Sequence, residues 1–424
     1  MCLGRRRAGS RTHARGHGAG RRRPQRTRCP TCGGDVLTPA STTRRAPGKL
    51  MVAGEYAVLE PGRPAIAVAV DRYVNVTVST CSSGEGDVVV DSDLLPHKVA
   101  LRRTPQGLRA LSEDNQSHAS GLLSHVVSAV ETIEQLRIEH RLSLASVKLS
   151  VHSELHRGGV KTGLGSSAAV TAATTQALAD HYGMSLSTED RFRLAMLASV
   201  QVDAGPSGTD LAAATWRGWV SYRSPDRQAL RDALHRHSVL HTLKQPWPHL
   251  TIRPLPPPTG LALHVGWSGT PASTTALVSD LTTRPTWQVA SLARFLDDSE
   301  QCVTAMERAL QQDTPQLLLD AVRTARSLLS RLDAETALGI FTPPLRRLCE
   351  VAESCGAAAK PSGAGGGDCG IALLPAHRSA GPLHRRWTAS DITPLGLRAI
   401  STAVTRSHVP TVHDTSPSAS GHKP

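Results

Sequence analysis

The chain has 424 residues, enough for two ordinary domains, and its 39% hydrophobic and 20% charged residues are typical of a soluble globular protein. It holds no apolar run of about 18 residues, which excludes a membrane-spanning helix. Of the net charge of +13, residues 1–45 carry +11, because 12 arginines there face one acid, and only +2 remains for the rest. The rest therefore lacks the positive surface of a nucleic-acid-binding protein, so we expect small-molecule partners, no nucleic acid and no membrane.

The arginine-rich head, residues 1–45, is predicted to be disordered. It lacks the apolar segment of a secretory signal, and its Gly and Pro residues interrupt any amphipathic helix. Cys29 and Cys32 have the spacing of half a zinc site, but no second pair follows nearby to complete it. The other cysteines are scattered, which favours reduced thiols and a cytoplasmic location. The polar, Pro-rich tail, residues 407–424, is also predicted to be disordered.

Residues 46–222 are predicted to form the first folded domain. Alternating apolar residues such as Val74, Val76 and Val78 indicate strands, and an apolar stripe with helical spacing indicates the first helix. In chain order, the predicted elements are strands over 49–59, 64–70 and 73–80, a helix over 122–136, a strand over 147–151, and helices over 167–181 and 187–202. The last helix begins at the capping sequence STED and ends before the segment AGPSGTD.

Residues 223–406 are predicted to form the second domain. Its first part, residues 223–258, is rich in Pro and His and is interpreted as a linker with insertions. The elements predicted beyond it are a strand over 261–269, two amphipathic helices between 286 and 332, a helix over 343–355, and a strand over 371–374. Strands and helices of both kinds in two blocks favour an α+β fold.

The segment KTGLGSSAAV, residues 161–170, is predicted to bind a phosphate group. Gly163 and Gly165 lack a Cβ atom, so the backbone can turn sharply and approach an anion. Ser166 and Ser167 begin a helix, where unpaired N–H groups and the helix dipole attract negative charge and a hydroxyl can bind Mg²⁺. The pattern is neither a Walker A loop nor a dinucleotide fingerprint, and a simple turn before a core helix would explain the same residues.

Two further segments are weaker signals when taken alone. Lys49 enters an otherwise apolar strand, where a lysine is commonly a surface residue with its stem along apolar neighbours. The segment KPSGAGGGDCGIAL, residues 360–373, places several glycines between a helix and a strand. It contains the letters GxGxxG but precedes a strand, which excludes a dinucleotide site.

Taken in order, the lysine strand with GE and PA, the GLGSSAA loop and the SGAGGG loop resemble the three signature motifs of the GHMP small-molecule kinases. The resemblance covers about residues 46–400. Within that superfamily, the residues Tyr56, Lys161 and Asp368 and the segment SGTDLAAATW resemble those of the phosphomevalonate kinases of bacterial mevalonate pathways. The resemblance implies a two-domain α+β GHMP kinase fold, with a ribosomal-protein-S5-like N-terminal domain and a ferredoxin-like C-terminal domain.

The same resemblance implies transfer of the γ-phosphoryl group of ATP to (R)-5-phosphomevalonate, with Mg²⁺ as cofactor. Phosphoryl transfer requires positioning and positive charge, and the resemblance assigns the catalytic roles to Lys49 and Asp210. The acceptor phosphate has a second pKa of about 6 and is largely dianionic at neutral pH. We therefore expect Asp210 to position Lys49 and the acceptor rather than to remove a proton.

The remaining site residues implied by the resemblance fall into two groups. Those expected to bind the ATP phosphates are Lys161, Gly163, Leu164, Gly165, Ser166, Ser167 and Ala168. Those expected to bind the acceptor are Lys360, Ser362, Gly363, Gly365, Ser268, Ser273 and Thr274, although each hydroxyl also suits an ordinary loop. Mevalonate kinases carry a metal-binding glutamate upstream of the aspartate, and this chain has only Asp203 there, so Ser167, phosphates and water are expected to hold Mg²⁺. Tyr73 and Asn75 lie where relatives hold adenine, but strand alternation explains both.

Three alternatives remain open from the sequence. The first alternative is another GHMP enzyme, either mevalonate kinase or diphosphomevalonate decarboxylase. The missing glutamate, Tyr56 and Asp368 disfavour mevalonate kinase, and CO₂ release would indicate the decarboxylase. The second alternative is a non-catalytic relative that binds a phosphorylated metabolite; the joint presence of Lys49, Ser167 and Asp210 argues against it. The third alternative is that the head binds nucleic acid, in which case deleting residues 1–45 would remove DNA retention and leave kinase activity.

Overall fold

The computed structural model describes residues 41–81, 86–272, 277 and 289–401. The predictions for residues 1–40 and 407–424, for Cys29 and Cys32, and for Ser273 and Thr274 lie outside the described residues. Within the described part of the chain, no helix is long and apolar enough to cross a membrane.

The first lobe, residues 41–255, is built on a mixed sheet. Among the described residues, eight strands form this sheet in the order β10-β9-β2-β6-β3-β4-β5, with β1 also paired to β2. The strands are β1 (Ser41–Ala53), β2 (Pro64–Thr80), β3 (Val88–Ser92), β4 (Val99–Thr104), β5 (Gly107–Ala110), β6 (Val147–Ser153), β9 (Trp219–Arg223) and β10 (Thr251–Leu255); β7 (His156–Arg157) and β8 (Val160–Lys161) form a separate hairpin. β3 runs parallel to β6 and the other pairs are antiparallel. The long strand β2 is central because Val74, Val76 and Val78 are buried on one of its faces.

Helices cover this sheet and carry the lobe's core. They are α1 (Glu113–Ser120), α2 (Ser124–Glu139), α3 (Ser166–His181), α4 (Thr188–Val202), α5 (Thr209–Trp216), α6 (Arg227–Arg236) and α7 (Val239–Lys244). The alanine-rich α3 lies on β1 and β2 and packs against α2 and α4, because its small side chains permit close approach. The predicted helices at 167–181 and 187–202 are confirmed, and Ser187 caps α4 by accepting from the N–H of Asp190 at 3.0 Å.

The predicted domain boundary at residue 223 is corrected by the structure. Residues 223–258 are no linker, because β10 pairs with β9 and extends the first sheet, while α6 and α7 pack on α4. Leu243 and Trp247 are buried among these elements, although the Pro and His content of the segment favoured a linker. The boundary of the head is corrected as well, because residues 41–45 belong to β1 and pair with β2.

The second lobe is built on a four-stranded antiparallel sheet in the order β12-β13-β11-β14. Its strands are β11 (Leu261–Trp267), β12 (Ala358–Pro361), β13 (Cys369–Pro375) and β14 (Thr393–Leu395), and its helices are α8 (Val289–Gln312), α9 (Pro315–Thr336), α10 (Pro343–Ser354) and α11 (Gly381–Thr388). α9 and α10 pack on the sheet, while α8 packs on α9 and reaches β2 of the first lobe. Both lobes mix helices with largely antiparallel sheets, which confirms the predicted α+β class.

Candidate active site

Lys49 and Asp210 meet at the centre of the first lobe. Lys49 lies on β1 with its side chain 10% exposed, and its Nζ atom is 3.4 Å from Oδ2 of Asp210. Asp210 lies in the first turn of α5, where the positive end of the helix dipole stabilises a carboxylate. The main-chain N–H of Lys49 donates to the carbonyl of Leu164 at 2.9 Å, so the phosphate-loop segment is fastened to the same strand. The structure therefore brings together the two residues predicted to be catalytic.

Gly165 joins this pair to the start of α3. It is the N-cap residue with φ of 76°, a left-handed conformation that favours glycine. A Cβ atom there would lie 3.0 Å from Oδ2 of Asp210 and 3.1 Å from Cε of Lys49, so the space between loop and pair is filled. No side chain caps α3, which leaves its first N–H groups for an anion. Ser166 is half-buried and Ser167 is exposed in that first turn.

A cavity of about 290 Å³ opens beside this helix start. Lys161, Ser166 and Ser167 line the part of the cavity next to the helix. The rest of the lining is mixed: its apolar residues are Val74, Leu94, Leu122, Leu123, Val126, Val151 and Val170, and its polar residues are Ser92, Ser124, His125, Ser153 and His156. Because Val74 lines the cavity, strand alternation places Tyr73 and Asn75 on the opposite face of β2, and the Tyr73 ring lies 4.4 Å from the guanidinium of Arg45. Apolar side chains and an anion-attracting helix start in one cavity suit a molecule that joins a ring to phosphates.

His125 also lines the cavity and is influenced by nearby charges. Burial lowers the pKa of His125, Lys161 lowers it further, and Asp203 partly opposes both. Asp203 is the C-cap residue of α4 and accepts a hydrogen bond from the N–H of Gly205 at 2.8 Å. The imidazole is therefore neutral at pH 7, and its weakly basic nitrogen adds no cation to the cavity.

Asp368 connects the glycine-rich segment of the second lobe to the phosphate loop. Its Oδ1 accepts from the N–H of Ala272 at 3.0 Å, and it packs on Gly163, where a Cβ atom would lie 2.5 Å from Cγ of Asp368. Burial raises the pKa of the Asp368 carboxyl, an effect opposed by the Ala272 hydrogen bond and by the charges of Lys49 and Lys161. The second lobe thus contributes a carboxyl group that both lysines influence.

Lys360 and Ser362, which were predicted to bind the acceptor, are buried and hydrogen-bonded within the protein. Lys360 is fully buried, and its Nζ donates to the carboxylate of Glu55 and to the carbonyl of Pro361. The hydroxyl of Ser362 accepts from the N–H of Met51 at 2.9 Å and donates to the Met51 carbonyl at 3.1 Å. Both side chains instead join the second lobe to β1 and the turn that follows it.

Of the other residues predicted to bind the acceptor, Ser268 and Gly365 are engaged in contacts within the protein, whereas Gly363 has open space beside it. Ser268 is buried, and its hydroxyl donates to the carbonyl of Thr270 at 3.2 Å. A Cβ atom on Gly365 would lie 2.5 Å from the carbonyl oxygen of Ile340, so packing explains this glycine. Gly363, in contrast, has φ of 89° and open space beside it, which leaves it suited to close approach by a ligand.

In the predicted phosphate loop, Leu164 and Ala168 have buried side chains. The Leu164 carbonyl is already taken by Lys49. Only the main chain of these two residues is therefore suited to a ligand, whereas Lys161 and Ser167 offer exposed side chains.

Two residues that organise the site were not predicted from the sequence. Glu55 is 4% exposed and supplies the carboxylate for Lys360. A lone acid inside an apolar stretch of sequence was the signal, since a buried charge requires a partner. Arg227 donates to the carbonyls of Ala204 and Leu59 at 3.0 and 2.8 Å and so fixes the loop before α5. Arginine is too frequent in this chain for its position to have been informative.

Comparison with known proteins gives matches over both lobes. The family of GHMP kinases matches with its N-terminal domain over residues 124–218 and with its C-terminal domain over residues 306–391. The phosphomevalonate kinase of Streptomyces sp. (strain CL190) is 51% identical over 84% of this chain and 96% of its own length.

Solved structures match the fold over a similar span. The Lin0012 protein from Listeria innocua superposes with a TM-score of 0.77 and 30% identity, covering 85% of this chain and 98% of its own. Streptococcus pneumoniae phosphomevalonate kinase, in complex with phosphomevalonate and AMPPNP, superposes with a TM-score of 0.73 and 28% identity, covering 84% of this chain and 99% of its own. With both lobes matched and half of the aligned residues identical to one relative, the chain belongs to the phosphomevalonate kinases of the GHMP kinase family.

Proposed function

We propose that this chain transfers the γ-phosphoryl group of ATP to (R)-5-phosphomevalonate, producing (R)-5-diphosphomevalonate and ADP in the mevalonate pathway to isoprenoid precursors. The observation that carries the proposal is the contact of Lys49 and Asp210 with Gly165 at the uncapped N-terminus of α3. The Streptococcus relative, crystallised with phosphomevalonate and AMPPNP, supports the same pair of ligands here.

ATP is proposed to enter the cavity beside α3 with its base against the apolar side chains. Its phosphates then lie next to the helix, where Lys161 and the hydroxyls of Ser166 and Ser167 are available. The N–H groups of the first turn of α3 and the left-handed Gly163 and Gly165 allow the backbone to approach the phosphate oxygens. This arrangement points the γ-phosphate towards Lys49.

The acceptor phosphate is proposed to bind next to Lys49, on the side of Asp210. The ammonium of Lys49 offsets the repulsion between the acceptor phosphate and the γ-phosphate as they approach each other. Asp210, 3.4 Å from that ammonium, holds it in place and needs to remove no proton, because the acceptor is already dianionic at neutral pH. Gly363 offers backbone access from the second lobe.

Mg²⁺ fits this site through the exposed hydroxyl of Ser167, together with phosphate oxygens and water. When bound, the ion neutralises charge on the phosphates and orients them. A cytoplasmic location is proposed from Cys302, Cys349, Cys355 and Cys369, which form no disulfide within the described residues.

The test is ADP release by the purified full chain with Mg-ATP and one acceptor at a time: mevalonate, 5-phosphomevalonate or diphosphomevalonate. We expect turnover with 5-phosphomevalonate alone, with a product heavier by one phosphoryl group and no CO₂. A Lys49→Met variant should lose activity about 100-fold or more, because one cation at the transferring group is removed. Turnover with mevalonate, release of CO₂, or no turnover with any acceptor would each contradict the proposal.

A further inference from the structure

Three potential metal ligands lie together on the surface, away from the pair of Lys49 and Asp210. Nε2 of His97 is 2.9 Å from one carboxylate oxygen of Asp114, and Nε2 of His118 is 3.9 Å from the other. The two imidazole rings lie edge to face with centroids 5.4 Å apart, and one ligand atom from each residue lies within 4.8 Å of the others. In the part of the chain that the structure describes, no other group of three such side chains is arranged in this way.

The three residues come from two separate segments. Asp114 and His118 are one helical turn apart on α1, so both side chains lie on the same face. His97 lies on the loop between β3 and β4, residues 93–98. A metal ion bound by all three would therefore cross-link this loop to α1.

The ligand types favour a transition metal over the Mg²⁺ that accompanies ATP. Two imidazoles and one carboxylate match the three protein ligands of zinc sites that keep a fourth position for water. Mg²⁺ prefers oxygen ligands and octahedral geometry, which two imidazole nitrogens do not provide. The side chains of His97 and Asp114 are 46% and 67% exposed, so an ion can reach them from solvent.

Both segments also form the wall of the nucleotide cavity. Leu94, on the loop that carries His97, lines the cavity. Leu123 lines it as well, and its N–H donates to the carbonyl of His118 at 3.0 Å. Gly121, between α1 and α2, is a further lining residue. The candidate ligands and the cavity wall are thus connected by a few bonds of main chain.

We propose that His97, Asp114 and His118 form a zinc site that fixes the loop of residues 93–98 against α1 and thereby stiffens the wall of the adjoining cavity. Metal binding at these residues does not depend on the proposed kinase reaction. The ligand types select the cation, a first-row divalent ion such as zinc, and the site needs no role in phosphoryl transfer.

The first test is a calorimetric titration of the metal-free full chain with Zn²⁺ in the presence of excess Mg²⁺. Three proteins are compared: the unaltered chain, the variant His97→Ala/His118→Ala, and the control His237→Ala/His241→Ala, which removes another histidine pair with ring centroids 4.6 Å apart. All three proteins keep Cys29 and Cys32, so any zinc bound by those thiols contributes equally to each and does not affect the difference between them. We expect the first variant to lose one equivalent of zinc, or to bind it at least tenfold more weakly, and the control to retain it. Equal stoichiometry and affinity in the His97/His118 variant would overturn the site.

The second test addresses the effect on the cavity wall. Amide hydrogen exchange of residues 114–123 is measured with and without zinc. We expect zinc to slow this exchange in the unaltered chain and in the control, and not in the His97/His118 variant. The same exchange with and without zinc in the unaltered chain would overturn the stiffening of the wall, even if zinc binds.

Discussion

At the scale of single residues, the candidate site depends on glycines where other side chains would collide with Lys49 and Asp210. Gly165 is the clearest example, because its missing side chain leaves the room occupied by Lys49 and Asp210. Gly165 is also the N-cap residue of α3. Its left-handed conformation and its close contacts both favour glycine at this position. A change here affects the contact between Lys49 and Asp210 and the start of α3 together.

Replacing Gly165 with Ala should lower kcat roughly 100-fold, since displacement by about 1 Å of groups that align a reaction has effects of that size. The matched control is Gly339→Ala. Gly339 has φ of 75°, close to the 76° of Gly165, but no atom lies within 4 Å of its added Cβ. Steady-state kinetics and thermal melting of both variants separate the two effects. Equal losses of kcat would show that backbone strain, rather than crowding of Lys49 and Asp210, is the cause.

Asp210→Asn tests whether the carboxylate positions Lys49 or removes a proton. We expect kcat to fall about 100-fold while the acidic limb of the pH–rate profile stays near pH 6 in both proteins. Below that pH the acceptor phosphate gains a proton and loses its dianionic form, so the rate falls for a reason that lies in the substrate. An acidic limb in the unaltered chain that disappears in the variant would identify Asp210 as the base.

The residue types in the sequence singled out Lys49 and Asp210, whose charged groups lie 3.4 Å apart in the structure, but they did not show the ion pair of Lys360. A lysine beside a glycine loop suggested a phosphate ligand, yet its ammonium is enclosed with Glu55, far along the chain. Sequence patterns show which groups are present and not which charges neutralise each other inside the fold. The hydrogen bonds of Ser362 with the main chain of Met51 were not predicted for the same reason.

At the scale of elements, the buried pair of Glu55 and Lys360 links the turn after β1 to β12. Lys360 is completely buried and Glu55 is 4% exposed, so neither charge has water as an alternative partner. The phenol of Tyr56, next in sequence to Glu55, donates to the carbonyl of Ala364 at 2.5 Å in the same junction. Burial, aided by the charges of Asp333 and Glu55, raises the pKa of Tyr56, so the phenol remains a donor at any physiological pH.

Lys360→Met should destabilise the fold by about 3 kcal/mol, because it leaves the Glu55 carboxylate buried without its counterion. The double variant Glu55→Leu/Lys360→Met should recover most of that loss, since it removes both charges. Urea unfolding of the two proteins measures the difference. If the double variant were less stable than Lys360→Met, the pair would contribute by packing and not by charge compensation.

Elements with strong local signals were predicted well. α3 and α4 begin and end within a residue or two of expectation, because Gly165, the STED cap and Gly183 mark their limits. Residues 223–258 were interpreted as a linker because of their Pro and His residues. Apolar residues among them, such as Leu230 and Leu243, are nevertheless buried in helices that contact α2 or α4, and such contacts between distant segments leave no trace in local composition.

At the scale of the whole molecule, the position of β1 decides which truncations remove residues of the first sheet. β1 begins at Ser41, and Arg44 both pairs in the sheet and forms an ion pair with Asp180 on α3. Deleting residues 1–40 should therefore leave kcat, KM and the melting temperature unchanged. Deleting residues 1–45 should lower the melting temperature, because it also removes paired residues of β1. Assays and melting curves of both truncations check this, and loss of activity on removing residues 1–40 would give the head a role in the kinase.

The hydrogen bonds between Met51 and Ser362 have a consequence for how the protein can be divided. Both main-chain groups of a residue in the first strand are satisfied by a side chain near the end of the chain, so neither lobe is complete without the other. Two fragments, residues 1–257 and 258–424, expressed together, would regain a working cleft only by reassembling. A restored reaction would then report directly that the fragments have met, as in a split-enzyme reporter.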